Sequence, residues 1–98
     1  MDSRCEQRLT VIGARREVRR FQSSQWESTL RVRHLDPLLL CPCRFVCQFE
    51  TDDPGLKRLQ ALSRRWPGLV LLLDYEVERL KGVAKARAGA LEHHEICY

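Results

Sequence analysis

Cysteines and histidines are the residues of this sequence best suited to chemistry. Cys41, Cys43 and Cys47 lie close together, and the remainder are spread along the chain: Cys5, Cys97, His34, His93 and His94. Thiolate and imidazole ligands suit zinc, but structural zinc sites usually pair two Cys-x-x-Cys knuckles, which this chain lacks. Cys43 and Cys47 also share one face of a predicted strand with Phe45 and Phe49, and this is typical of cysteines that are small buried side chains. We therefore expect no metal and no cofactor.

The adjacent histidines offer acid/base chemistry only in part. On a strand, His93 and His94 point to opposite faces and cannot meet one ligand. His93 with Glu95, or His94 with Glu92, would share a face and could form an acid/base pair. Such pairs also occur on strands without catalysis, and the chain has no serine–histidine–aspartate order, glycine-rich phosphate loop or cysteine-nucleophile motif. We assign no catalytic residue.

Positive charge is concentrated in the first third of the chain. The formal net charge is +4 and the isoelectric point is near 9.0, and residues 1–34 hold eight arginines against four acidic residues. These arginines offer a nucleic-acid surface on a predicted helix and strand, formed by Arg15, Arg16, Arg19, Arg20, Arg31 and Arg33. The strand has no Phe or Tyr on which bases could stack. A solvated helix face is the simpler interpretation.

The clearest structural pattern spans residues 43–77 and predicts a strand, a helix and a second strand. Residues 43–51 alternate between apolar and polar side chains, as in a half-buried strand. Asp52 and Asp53 offer an N-cap carboxylate, and Pro54 suits the first helical position. The helix then has an apolar stripe of Leu and Trp at three- and four-residue steps up to Trp66. The first five residues of the segment 69–77 are apolar, so both faces are apolar there, and this predicts a central strand.

The remaining segments complete a single α+β domain over residues 1–98. Further strands are predicted at 9–14, 28–35, 81–88 and 91–98, a helix at 15–24, and a connection with two prolines at 36–42. The order is β-α-β-β-α-β with a C-terminal β-hairpin extension. That order predicts a ferredoxin-like two-layer sandwich, in which two helices cover one face of an antiparallel sheet.

Five short segments carry a resemblance to a known family. They are Thr10–Gly13, Phe49–Pro54, Leu62–Pro67, Asp74–Glu76 and Lys81–Gly82. In this order they resemble the YubB-type ferredoxin-like domain of small bacterial proteins, although the tryptophan-rich Asn-Trp-Gly segment of that family is missing. The resemblance implies a bacterial protein with a ferredoxin-like fold. It implies no site residues, because the family has no established activity.

The sequence also predicts where the protein works. Its longest apolar run is about five residues, far below the roughly 20 needed to cross a bilayer, and its start has no apolar export segment. We therefore expect a cytoplasmic protein with reduced thiols and no membrane contact.

The uncovered face of a two-layer sandwich suggests the function. We predict an apolar surface of Val70, Leu72, Ala84 and Ala86, with Val83 as the alternative to the alanines, and expect a non-enzymatic binding domain that self-associates as a homodimer. One alternative is nucleic-acid binding through the arginines named above. A second is a small-ligand-binding regulatory domain or small enzyme, whose polar contacts would come from Asp74, Glu76, His93 and His94.

Overall fold

The computed structural model describes residues 4–97, which form an antiparallel sheet of six strands and three helices. The elements are β1 (Cys5–Ile12), α1 (Arg15–Gln22), α2 (Trp26–Leu30), β2 (Arg33–Cys41), β3 (Arg44–Thr51), α3 (Leu56–Arg65), β4 (Val70–Val77), β5 (Leu80–Arg87) and β6 (Ala90–Cys97). The strand order is β2-β3-β1-β4-β5-β6. β1 and β4 therefore lie in the middle of the sheet.

The core lies between the helices and one face of the sheet. Alternate residues of the central strands point into it, so that Leu9 and Leu73 are buried while their chain neighbours are not. Trp26 of α2 is the largest of these buried side chains. Its ring stacks on Phe21 of α1 at 5.5 Å between centroids and meets Phe45 of β3 edge-on at 5.9 Å. Aromatic packing thus joins the first two helices to the sheet.

The predicted ferredoxin-like sandwich with two helices is wrong. The structure is an open six-stranded sheet, 52% strand, and the described part of the chain has three helices. The predicted C-terminal extension is instead part of the main sheet, because β5 pairs with β4 and β6 pairs with β5. Tyr98, the predicted end of the last strand, lies outside the described residues.

The predicted strand at 28–35 is also wrong, since its first half belongs to α2. Trp26 and Leu30, four residues apart, both turn into the core, and Arg31 ends the helix in a left-handed conformation with φ of 57°. β2 occupies the segment that was predicted to be a connection. Pro37 is tolerated there because β2 is an edge strand, and the register with β3 shifts on both sides of it.

The third helix begins later than predicted and without a carboxylate cap. Its N-cap is Gly55, whose φ of 65° favours glycine. The preceding turn is held from β1 instead, because the buried Gln7 amide donates to the Asp53 and Pro54 carbonyls, each at 3.1 Å. Asp53 itself pairs with Arg58. None of the helices in residues 4–97 has the length and hydropathy needed to span a bilayer.

Candidate interface on the open sheet face

The face of the sheet turned away from the helices, called here the open face, has an aliphatic patch at one end of its two middle strands. On these strands, Ile12 lies opposite Val70 and Thr10 lies opposite Leu72. Ile12 is 37% exposed, and Val70 and Leu72 are partly exposed. This end of the open face therefore presents aliphatic side chains to solvent, with no helix of residues 4–97 over them.

Charged and further apolar residues lie next to this aliphatic patch. Val46 lies opposite Thr10 on one side, and Lys85 lies opposite Leu72 on the other. The next cross-strand pair along the middle strands is Arg8 with Asp74, and the pair after it is Glu6 with Glu76. Three more exposed apolar side chains belong to the same face: Leu39, Val83 and Ile96. The open face is thus aliphatic at one end of its middle strands and charged toward the other, where Glu6 and Glu76 lie near Lys81.

Only half of the predicted interface residues lie on the open face. Val70 and Leu72 do, but Ala84 and Ala86 are buried on the opposite side, where they pair with Leu73 and Leu71 and the sheet packs against α3. The two alanines therefore cannot contribute to an interface on the open face. Val83, the alternative to the alanines, occupies that face and is 47% exposed.

A polar cluster joins β4 and β6 on the helix side of the sheet. The Tyr75 hydroxyl contacts Nε2 of His93, and the same nitrogen lies 3.0 Å from Glu95 Oε1. Burial, with a contribution from the negative charge of Glu95, raises the pKa of Tyr75 to about 12. Tyr75 is therefore a neutral phenol at physiological pH and not a base. Tyr75 and Glu95 both contact Nε2 of His93, so the cluster cannot relay a proton through the two nitrogens of the imidazole. Its contacts hold β4 to β6 across Gly82 of β5.

The stability of the fold should fall at alkaline pH through Tyr75. Its folded pKa is raised above the ordinary value of 10, so the native state keeps a proton that the unfolded state loses. The stabilisation is complete below pH 10 and lost as the pH rises toward 12, at about 1.4 kcal/mol per unit. Urea unfolding at several pH values should show a shallower decline in Tyr75→Phe than in the wild type. Parallel declines would contradict the burial of the phenol.

The four residues of the predicted ligand site do not converge. Asp74, Glu76 and His94 lie on the open face, whereas His93 points to the helix side. Asp74 and His94 do line a shallow depression of about 300 Å³, together with Val83 and Lys85. The predicted pairing of His93 with Glu95 is confirmed as a contact at 3.0 Å.

The predicted nucleic-acid residues belong to three separate elements. Arg15, Arg16, Arg19 and Arg20 are exposed on α1, while Arg31 ends α2. Arg33 lies on β2 and forms an ion pair with Asp52 at 2.8 Å. The predicted combination of a basic helix with a basic strand at 29–34 is therefore wrong, because Thr29 and Leu30 are helical.

The cysteines are divided between the core and the surface. Cys5 and Cys47 are buried, and burial raises the pKa of Cys47 to about 12, which makes its thiol unreactive at neutral pH. Cys43, predicted to be buried, is exposed at the turn between β2 and β3, as is Cys41. Within residues 4–97, no three metal-ligating side chains cluster.

Comparison with known proteins found no match to this chain. No family model, no curated protein and no solved structure matches the chain. The YubB-type resemblance stays a prediction, and function must be inferred from the surfaces themselves. Ile12 was missing from the predicted interface, although the alternation in its strand already places it on the same face as Thr10.

Proposed function

We propose that this protein is a non-enzymatic binding domain that acts as a homodimer through its open face. The observation that carries the proposal is the aliphatic patch of Ile12, Val70 and Leu72 at one end of the two middle strands of an uncovered six-stranded sheet. Packing two such sheets face to face would remove this surface from water and bring the inner side chains together in a layer about 10 Å thick.

The position of the patch suits a second copy of the same chain. Three strands lie on each side of the boundary between β1 and β4. A two-fold axis along this boundary would place Ile12 against the partner's Val70 and Thr10 against the partner's Leu72. The same operation sets Arg8 against the partner's Asp74, so opposite charges meet where the apolar patch ends.

The charged end of the face limits how the two copies can meet. Under the same two-fold operation, Glu6 would approach the partner's Glu76, with Lys81 opposite Glu76 in each copy. Like charges at an interface oppose association. The contact is therefore centred on Ile12, Val70 and Leu72, and the sheets diverge toward Glu6.

The proposal is tested by Val70→Lys. A lysine at this position would lie unpaired in the centre of the interface, so the dimer dissociation constant should rise at least about tenfold. Analytical ultracentrifugation across a concentration series measures it directly. Lys85→Ala is the control, because Lys85 lies on the same face at its charged margin.

Two results would count against the dimer. A wild-type protein that stays strictly monomeric at tens of micromolar removes the basis of the proposal. Equal effects of Val70→Lys and Lys85→Ala on the dimer dissociation constant would show that the association does not depend on the aliphatic patch.

A further inference from the structure

A groove on the helix side of the molecule is separate from the open face. It has a volume of about 530 Å³ and runs between α1, α2 and the segment that follows α3. Pockets that bind small molecules have volumes of about 300–1,000 Å³. Its walls combine an indole ring, two guanidinium groups and hydroxyl groups, provided by Trp66, Arg20, Arg65, Ser28 and Thr29.

The indole of Trp66 is held in place and partly open to the groove. Its ring meets Phe21 edge-on at 5.5 Å between centroids, and its backbone N–H donates to the Leu62 carbonyl at 3.2 Å. The guanidinium of Arg20 lies 5.9 Å from the ring centroid and is oriented by Glu17, whose Oε1 is 3.3 Å from Nη1. A positioned cation therefore lies over the planar aromatic surface, so a base that stacks on this ring takes the place of the guanidinium.

The charge of the helices favours an anion in this groove. Two arginines and one glutamate line the groove, namely Arg20, Arg65 and Glu17, so that its charged lining is positive. Arg65, at the end of α3, lines the groove and forms no ion pair with any of residues 4–97. The hydroxyl groups of Ser28 and Thr29 add neutral donors beside it. Guanidinium and hydroxyl groups together are the donors that phosphate recognition uses most.

We infer that this groove binds a nucleotide unit, with the base stacked on Trp66 and the phosphate held by Arg20 and Arg65. Stacking on an aromatic side chain accepts any base, because every base has a π-face. The unit could be a free nucleotide or one residue of a single-stranded nucleic acid, and the two share the chemistry of a planar heterocycle beside a phosphate. Glu17 faces the same groove and can accept a hydrogen bond from a ribose hydroxyl or a base N–H.

Intrinsic fluorescence tests this inference, because Trp66 is the partly exposed one of the two tryptophans and Trp26 is buried. Titration of the wild type with AMP should quench the emission, and Trp66→Phe should remove most of the quenching. Arg65→Ala should weaken AMP binding at least about fivefold, because a charge-assisted contact is lost. The matched control is Arg64→Ala, since Arg64 is the preceding residue of α3 but lies beside Gly89, outside the groove.

Three results would overturn the inference. The first is an absence of quenching by millimolar AMP. The second is an equal effect of Arg64→Ala and Arg65→Ala on AMP binding, and the third is binding of ribose 5-phosphate as tight as that of AMP. A short single-stranded oligoadenylate distinguishes the source: tighter binding than AMP indicates a nucleic acid, and equal or weaker binding indicates a free nucleotide. Val70→Lys should leave AMP binding unchanged, so failure of the dimer and failure of the groove are separate results.

Discussion

Trp26→Ala should lower the free energy of unfolding by about 3–5 kcal/mol, the range for loss of a buried aromatic side chain. The ring is 2% exposed and lies between α1 and the sheet, against Phe21, Phe45 and Phe49. Removing it opens a cavity among three other aromatic rings that are themselves fixed by the sheet and α1. The site cannot collapse easily, which places the cost toward the upper end of that range.

Urea unfolding followed by circular dichroism measures this loss, and Trp66→Ala is the matched control. Trp66 is the other tryptophan of the chain and packs on Phe21 from the surface, so its removal opens the groove and leaves the core closed. Its cost should be less than half that of Trp26→Ala. Equal costs would mean that α2 is not anchored in the core through Trp26.

Gly82→Ala should destabilise the protein by about 2–4 kcal/mol, through overpacking and the loss of a hydrogen bond. A methyl group at this position would lie only 2.2 Å from Cζ of Tyr75 and 2.4 Å from its hydroxyl oxygen. The ring would have to leave its place above β5, and its contact with His93 would break.

Two further variants isolate the cause of this effect. Gly68→Ala is the control, since its methyl group would meet nothing closer than Cγ of Glu17 at 4.0 Å, and it should change stability little. Tyr75→Leu, combined with Gly82→Ala, should cost less than the sum of the two single changes, because the smaller side chain makes room for the methyl group. Additive costs in thermal or urea unfolding would show that the clash is not with Tyr75.

Most of the individual elements could be predicted from the sequence, because their patterns are local. The alternation before Thr51, the apolar stripe of α3 and the run after Gly68 lie close to the observed β3, α3 and β4. The prediction failed for the segment around α2. The apolar residues Leu30 and Val32 alternate like a strand, whereas Trp26 and Leu30 have helical spacing, and tertiary packing of the tryptophan decides between the two patterns.

The candidate interface could be predicted only in part, because its composition depends on the register between strands. The small residues of β5 alternate with Val83 and Lys85, and the alternation alone does not say which set shares a face with Leu72. The two-residue turn at Glu78 and Arg79 decides it, since it pairs Val77 with Leu80 and thereby brings Ala84 opposite Leu73. The groove at Trp66 joins segments that are distant in sequence and had no local signal.

The position of β1 has a consequence for synthesis on the ribosome. β1 is made before every other strand, yet it pairs with β3 and β4, and Ile12 finds its partner only when Val70 has been translated. The β2–β3 hairpin can close earlier, but the strand at the centre of the sheet must wait. During that interval the apolar residues of β1 are uncovered in the nascent chain, where they are available to chaperones and to other unfolded chains. Both edges of β1 are therefore paired, and protected from aggregation, only after β4 has emerged.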